Sequence, residues 1–419
     1  MVYANDFLGK TDSDVLEAAI KARGLDGIVV IPPRQLENEP ERDFWLIDRA
    51  ILLPENTTVI LSNCKIKLSD SARDNFFRSA NCGEGIEYPE TVKNIHIKGE
   101  GSALLEGADY PRSTGDRSKK NYKVCPHFAE DICKYAPWLP EERKSPEKLT
   151  FDDFHDYSYG TDEGKEGESQ QGDWRNVGVL LAHVENFSIS NITIKYSHAW
   201  AISMESCAYG TVEKITFEAY MHRNIDGMEM NIENQDGVNL RTGCHHIVVS
   251  DIFGCTGDDV IAINASSKPW LPYRAGGTYT STMVTGNDYS YREKDIHDVI
   301  VRNVIAHSYL CFTVRLLAMG EAEVYNVVID GIVDTAPAND KSFGTFIIGD
   351  ISEKGRKKAI RNVTISNVIC SSQTGLLVHG HMSDSVISNV IHRNTNGKVI
   401  DLYYEDGFDN VVLNNVISE

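Results

Sequence analysis

The stretch Phe187-Ser-Ile-Ser-Asn-Ile-Thr-Ile194 sets apolar side chains alternately with polar ones on either side of an Asn, and the same phrase keeps returning. Alternation at period two marks a strand with one buried face. A shorter copy precedes it at Asn94-Ile-His-Ile97. Later copies are Val212-Glu-Lys-Ile-Thr-Phe217, Ile247-Val-Val-Ser-Asp-Ile252, Val299-Ile-Val-Arg-Asn-Val304, Val327-Val-Ile-Asp-Gly-Ile332, Val363-Thr-Ile-Ser-Asn-Val368, Val386-Ile-Ser-Asn-Val-Ile391 and Val411-Val-Leu-Asn-Asn-Val416. Several intervals fall near about 23 to 28 residues, roughly one coil of a β-solenoid, and the longer ones leave room for inserted loops or an extra coil. Antiparallel sandwiches or barrels need hairpin turns such as Asn-Gly between neighbouring strands, and such turns are scarce here. The recurring Asn fits a coil corner, because Asn tolerates the left-handed backbone that turns the chain. These observations predict an all-β, right-handed, single-stranded parallel β-helix with stacked coils from about Val92 to the C-terminus.

Working outward, residues 14–23 predict a short amphipathic helix with Ser13 or Asp14 as N-cap, Glu17 in the first turn and Gly24 as the stop. It would cap the open end of the solenoid, which otherwise exposes an apolar face and an unpaired strand edge. Residues 109–172 break the rhythm with charge, Pro and aromatics, and read as a long inserted loop over one face. The expected organisation is one β-helix domain over 1–419, with the cap and first coil in 1–60, the insertion in 109–172 and the main coils in 175–419. A length of 419 residues does not force a split, because each coil of a solenoid packs only on its neighbours.

The chain carries 61 Asp and Glu against 41 Lys and Arg, a formal charge of −20. That repels nucleic-acid phosphates and anionic membrane surfaces and disfavours a highly anionic polymer as ligand. No run of about 18 apolar residues and no basic start before an apolar stretch is present, so neither a membrane span nor a signal peptide is expected. Localisation stays open: secreted or periplasmic if a leader was removed, otherwise cytoplasmic. Among nine cysteines, Cys207, Cys244, Cys255, Cys311 and Cys370 lie in apolar repeat segments and read as buried small hydrophobes. Cys125 and Cys133, in the polar insertion, are the pair to consider for a disulfide.

Two acidic motifs stand one coil apart. Asn234-Gln235-Asp236-Gly237 is followed, 22 residues after Asp236, by Gly257-Asp258-Asp259. Coils of a parallel solenoid lie about 4.8 Å apart, so these carboxylates would crowd and hold a proton near neutral pH. Such a cluster supplies an acid and a base for glycosidic hydrolysis. Asp258 and Asp259 can share one site only if Gly257 lets the backbone bend, since neighbours on an ideal strand face opposite sides.

At these residues the sequence resembles the polygalacturonase family, glycoside hydrolase family 28, of pectin-lyase-like fold, whose Asn-Thr-Asp motif is followed one coil later by Gly-Asp-Asp. The resemblance covers about residues 175–265, with a weaker continuation to 332. Tyr196-Ser-His-Ala-Trp200 resembles the family's Asn-Ser-Pro-Phe-Trp, and Gly257-Asp-Asp-Val-Ile-Ala-Ile263 its Gly-Asp-Asp-Cys-Ile-Ala-Ile. The resemblance implies a hydrolase of cell-wall polysaccharide, with Asp258 as general acid and Asp236 and Asp259 orienting and deprotonating water for an inverting displacement. Two departures matter. The family's Gly-His-Gly has no counterpart around Ala275 to Asn287, and its Arg-Ile-Lys, which grips a uronate, is matched only by Arg315-Leu-Leu317. Half a clamp leans toward a neutral or differently decorated sugar.

Trp200, Trp270 and Tyr273 are candidate stacking faces for sugar, and Asp226 and Glu229 candidate additions to the acidic cluster, with core packing and solvated faces as their ordinary roles. For Arg315 a structural ion pair competes with substrate contact. His245 and His246 follow Cys244, but adjacent strand residues diverge, so no metal site is expected there, and no cofactor is. The expected partner is a poly- or oligosaccharide. Two other readings of the same features are a lyase on this fold using calcium and a proton-abstracting Arg or Lys, and a carbohydrate-binding solenoid without turnover. The long insertion can wall off one end of a groove, which points to terminal cleavage.

Overall fold

Asparagines at left-handed corners set the shape of each coil. A computed structural model describes residues 1–36, 39–70, 72, 74–83, 86, 88–109, 133, 139–150, 173–220, 222–225, 228–231, 235–267, 271–272, 279–280, 293–337, 342–350 and 354–418. Within them the first corner of each long strand carries a positive φ at Asn94 (61°), Asn186 (58°), Tyr209, His246, Asp298, Asn326 (56°), Asn362, Asp384 and Asn410. A second corner, five residues on, does so at Asn191, Lys214, Asp251, Asn303, Gly331, Asn367, Asn389 and Asn415. Parallel register stacks like on like. Asn94 Nδ2 donates to Asn56 Oδ1 at 2.6 Å, Asn186 Nδ2 to Asn94 Oδ1 at 2.6 Å, and Asn326 Nδ2 to Asp298 Oδ1 at 2.9 Å. A short amide side chain lowers the cost of a left-handed backbone and bonds to the coil beneath, so one residue type serves both needs.

The long strands run parallel in one ladder from Val2–Tyr3 through Ile28–Ile31, Thr57–Ser62, Val92–Glu100 and Val184–Lys195 to Phe408–Ser418. A second parallel ladder of short strands runs from Ile51–Leu53 to Lys398–Leu402. The chain is a right-handed parallel β-helix. Antiparallel pairing among the described residues is confined to His222–Ile225 with Met228–Asn231, Leu271–Pro272 with Tyr279–Thr280, and the bridge Gly83 to Ile86. Both hairpins lie in the insertions that lengthen the coils on either side of Asp236 to Asp259. One apolar cluster of Val, Ile and Leu fills the lumen from Ala4 to Val390. Cys207, Cys244, Cys255 and Cys370 are buried as expected, while Cys311 is only half-buried.

The capping helix is Asp12–Lys21, two residues earlier than the sequence suggests. Thr11, not Ser13 or Asp14, is the N-cap: Thr11 Oγ1 accepts from the Asp14 N–H at 3.2 Å, and Asp14 Oδ2 accepts from the Thr11 N–H at 3.1 Å. That capping box fixes the N-cap three residues before Asp14. Val15, Leu16, Ala19 and Ile20 are buried in the first coils, and Gly24, at φ 67°, lets the chain turn away. Most of the 109–172 insertion, Cys125 included, lies outside the described residues. No described helix is long and apolar enough to cross a membrane.

Candidate active site

The short-strand ladder positions the acidic residues. Val238 pairs with Ile261, and Ile261 with Val314. Traced back two residues, this register sets Asp236 beside Asp259, and the Gly237 N–H donates to the Asp259 carbonyl at 2.9 Å. Asp258 instead stacks on Gln235, whose carbonyl accepts from the N–H groups of Gly257 and Asp258 at 3.0 and 3.3 Å. The stacked partner of Asp236 is therefore Asp259, 23 residues on, and not Asp258.

Between the strands His245–Thr256 and Ile261–Ser266 the chain makes a bend, so strand alternation does not apply to residues 257–260. Gly257 takes no left-handed backbone there. The bend is held instead by Asp258 Oδ1, which accepts from the Asp259 N–H at 2.8 Å, and by Thr256 Oγ1, which donates to the Asp258 carbonyl at 2.6 Å. An oxygen of Asp258, an oxygen of Asp259 and the Cys311 sulfur all come within 4.8 Å of one another.

Asp236 and Asp259 are 4 % and 3 % exposed, whereas Asp258 is more open to solvent. Arg315 Nε donates to Asp259 Oδ2 at 2.5 Å and its Nη1 to Asp350 Oδ2 at 3.0 Å. The Phe312 N–H donates to Asp259 Oδ1 at 3.1 Å. One guanidinium thus serves two buried acids. Burial, then the charges of Asp258 and Asp259, hold the Asp236 carboxyl well above the usual range. Burial pushes Asp259 up to about 7, with Arg315 opposing and Asp258 adding to the rise. Burial also raises the Cys311 thiol, and the two neighbouring carboxylates raise it further. A protonated thiol and an Arg-paired carboxylate suit proton traffic better than cation binding.

Asp236 Oδ1 is buried without a hydrogen-bond partner, and so are Asn239 Oδ1 and Asn264 Oδ1. Val238 and Leu240 fill the lumen, so Asn239 between them faces outward. Asp236, Asn239 and Asn264 are all buried, and the Asn239 side chain opposes part of the rise that burial gives the Asp236 carboxyl.

Arg315 bridges Asp259 and Asp350 as an ion pair to each. Trp200 lies next to Asp236 in the stack, where the Ala201 N–H donates to the Asp236 carbonyl at 2.8 Å. Its ring packs with Trp174, Val177 and Leu180, and the Arg241 guanidinium covers one face at 4.4 Å. Glu229 lies on the hairpin strand opposite Asn224. Asp226, Trp270 and Tyr273 lie outside the described residues. Sequence reasoning missed Cys311, Asp350, Asn239 and Asn264. Coil register from Asp236 would have found Asn239, but no motif flags Asp350.

The expected divergence of His245 and His246 does not occur. His246 takes a left-handed φ of 53°, which swings its ring round until the two Nδ1 atoms stand 2.9 Å apart.

Residues 159–332 match the family model described as glycosyl hydrolases family 28. The chain carries a family 28 glycosyl hydrolase segment. That match supports a glycoside hydrolase acting on a polysaccharide. No curated protein sequence matches it. Solved structures with a similar fold include polygalacturonase from Erwinia carotovora ssp. carotovora, at 14% identity and TM-score 0.52 over 100% of this chain and 96% of that one. The hyperthermoactive exopolygalacturonase of Thermotoga maritima gives 16% identity and TM-score 0.51 over 99% and 92%. A tailspike mutant of E. coli bacteriophage HK620, in complex with a pentasaccharide, gives 12% and 0.54 over 100% and 66%. At these identities the likeness bears on fold alone.

Proposed function

We propose that this family 28-like hydrolase cleaves its polysaccharide with Asp258 as proton donor to the leaving oxygen and Asp236 with Asp259 activating water, with inversion at the anomeric carbon. The observation that carries the reading is the crowding of Asp236, Asp258 and Asp259 beside the Arg315 guanidinium, which keeps at least one proton in the cluster near neutral pH. At rest that proton sits on the buried Asp236, and turnover requires it to pass to Asp258 so that Asp236 can accept from water. The more open Asp258 is the member that reaches a sugar in the groove. Asp258 and Asp259 approach more closely than the roughly 6.5 to 9.5 Å gap of inverting pairs, so the water is held on the Asp236 side and not between those two.

A lyase would need a base able to lose its proton. Burial works against the charge on Arg315, but Asp259 and Asp258 outweigh it and keep the guanidinium charged, which argues against that reading. With the Arg315 guanidinium committed to two carboxylates, that residue has little left to grip a uronate, which supports a neutral or decorated sugar. A glycan panel with product analysis tests the proposal: new reducing ends without ultraviolet-absorbing product are expected. Unsaturated product would assign a lyase, and binding without turnover an adhesin-like solenoid. Retained anomeric configuration by NMR would remove the inverting assignment.

A further inference from the structure

We propose that the surface corner formed by His246, His297 and Asp298, with His245 beside it, is a binding site for a first-row divalent transition metal such as Zn2+. The site stands apart from the hydrolytic chemistry, since His245 opens the strand His245–Thr256 whose far end leads to Asp258.

The first observation is a break in the repeat. Along this left-handed corner the chain stacks Asn56, Asn94 and Asn186, and further on Asp298, Asn326, Asn362, Asp384 and Asn410, joined by side-chain hydrogen bonds. Only Tyr209 and His246 interrupt the series. Where the coils on either side of Tyr209 and His246 satisfy this corner with an amide or carboxylate, the His246 coil brings an imidazole, and the coil above brings a second one beside it.

The second observation is convergence. One donor atom from each of His246, His297 and Asp298 lies within 4.8 Å of the other two. Asp298 Oδ2 is 2.7 Å from His297 Nδ1 and 3.8 Å from His246 Nε2. His245 stacks on His297 at 5.1 Å and 3° between planes, and its Nδ1 faces that of His246 at 2.9 Å. Tyr325 stacks on the other face of His297 at 4.9 Å, which fixes that ring. Imidazole and carboxylate donors suit Zn2+, Ni2+ or Cu2+ rather than Ca2+ or Mg2+, whose ligands are mainly oxygens. Donors bound to one tetrahedral ion at about 2.0 to 2.2 Å lie about 3.4 Å apart, so the 3.8 Å pair must close and the 2.7 Å pair open by less than about an ångström, within reach of side-chain rotation at an exposed corner.

The test is calorimetric titration of chelator-treated full chain with Zn2+, and visible absorption with Co2+ as a spectroscopic probe. One ion per chain with micromolar affinity is expected, weakened about 100-fold or more by His297→Ala and by His246→Asn, since even outer-shell changes cost 10- to 100-fold. His246→Asn places at the corner the residue that the neighbouring coils use there, so folding is retained, and unchanged thermal unfolding of the metal-free variant checks this. His96→Ala, whose ring is bonded to Ser188 on another coil, should bind as the unaltered chain does. Absence of a one-to-one site, or binding unchanged in both His297→Ala and His246→Asn, overturns the proposal.

Discussion

Replacing Asp236 with Asn should abolish turnover and stabilise the fold at neutral pH. Asn is nearly isosteric with a protonated Asp, and Asp236 sits buried with one oxygen unpartnered and its carboxyl held well above the usual range. The folded chain therefore keeps a proton that the unfolded chain releases above about pH 4. A raised folded value contributes stability that is complete below the unfolded value and is lost as pH rises through the folded one. The slope is about 1.4 kcal/mol per pH unit for each such proton. Asp259, pushed up to about 7, adds a second over the same window. As pH rises from about 4.5 toward neutral the unaltered chain should thus lose stability through Asp236, and the Asn variant should lose none of that share. Urea unfolding midpoints of the two proteins, compared across this range, measure the difference directly. Parallel pH dependence, or an Asn variant less stable than the parent at pH 7, would show that Asp236 is not the residue holding the proton.

Arg315→Met leaves Asp259 and Asp350 buried without their cation and should cost about 3 to 5 kcal/mol at pH 8, less at pH 5 where the acids can take up protons; an equal loss at both pH values in urea unfolding contradicts the pairing. Asn326→Ala should cost about 1 to 2 kcal/mol because Ala lacks the amide that eases a φ of 56° and the bond to Asp298 is lost, whereas Asn326→Gly, which has no Cβ to strain, should cost less; the reverse order of unfolding midpoints would refute the corner argument. Polygalacturonate should be a poor substrate in a reducing-sugar assay, and efficient hydrolysis would overturn the lean toward a neutral or decorated sugar.

The coils were legible because their two signals, period-two alternation and Asn at the turns, are local and repeated. Copies such as Val299 to Val304 and Val363 to Val368 fall in register in the structure. The acidic motifs were legible as types, but the identity of the stacked pair depended on a one-residue difference in coil length that spacing alone leaves open. The helix start shifted because Thr11 and Asp14 form a reciprocal cap, which outweighs the apolar pattern. His245 and His246 were misread because strand alternation assumes an extended backbone, and His246 is left-handed. Asp350 reaches the site only through Arg315, a contact between coils that no motif announces. Cys311 read as a core thiol because its neighbours are apolar, yet the register sets it beside Asp258 at the edge of the site.

The most direct test of the three-carboxylate account is the turnover number of Asp258→Asn on the polysaccharide that the unaltered chain hydrolyses. The account predicts a fall of several orders of magnitude with substrate binding and the urea midpoint nearly unchanged, because Asp258 is the open member of the cluster and an amide at that position cannot protonate the leaving oxygen. Turnover within a few-fold of the parent would contradict it.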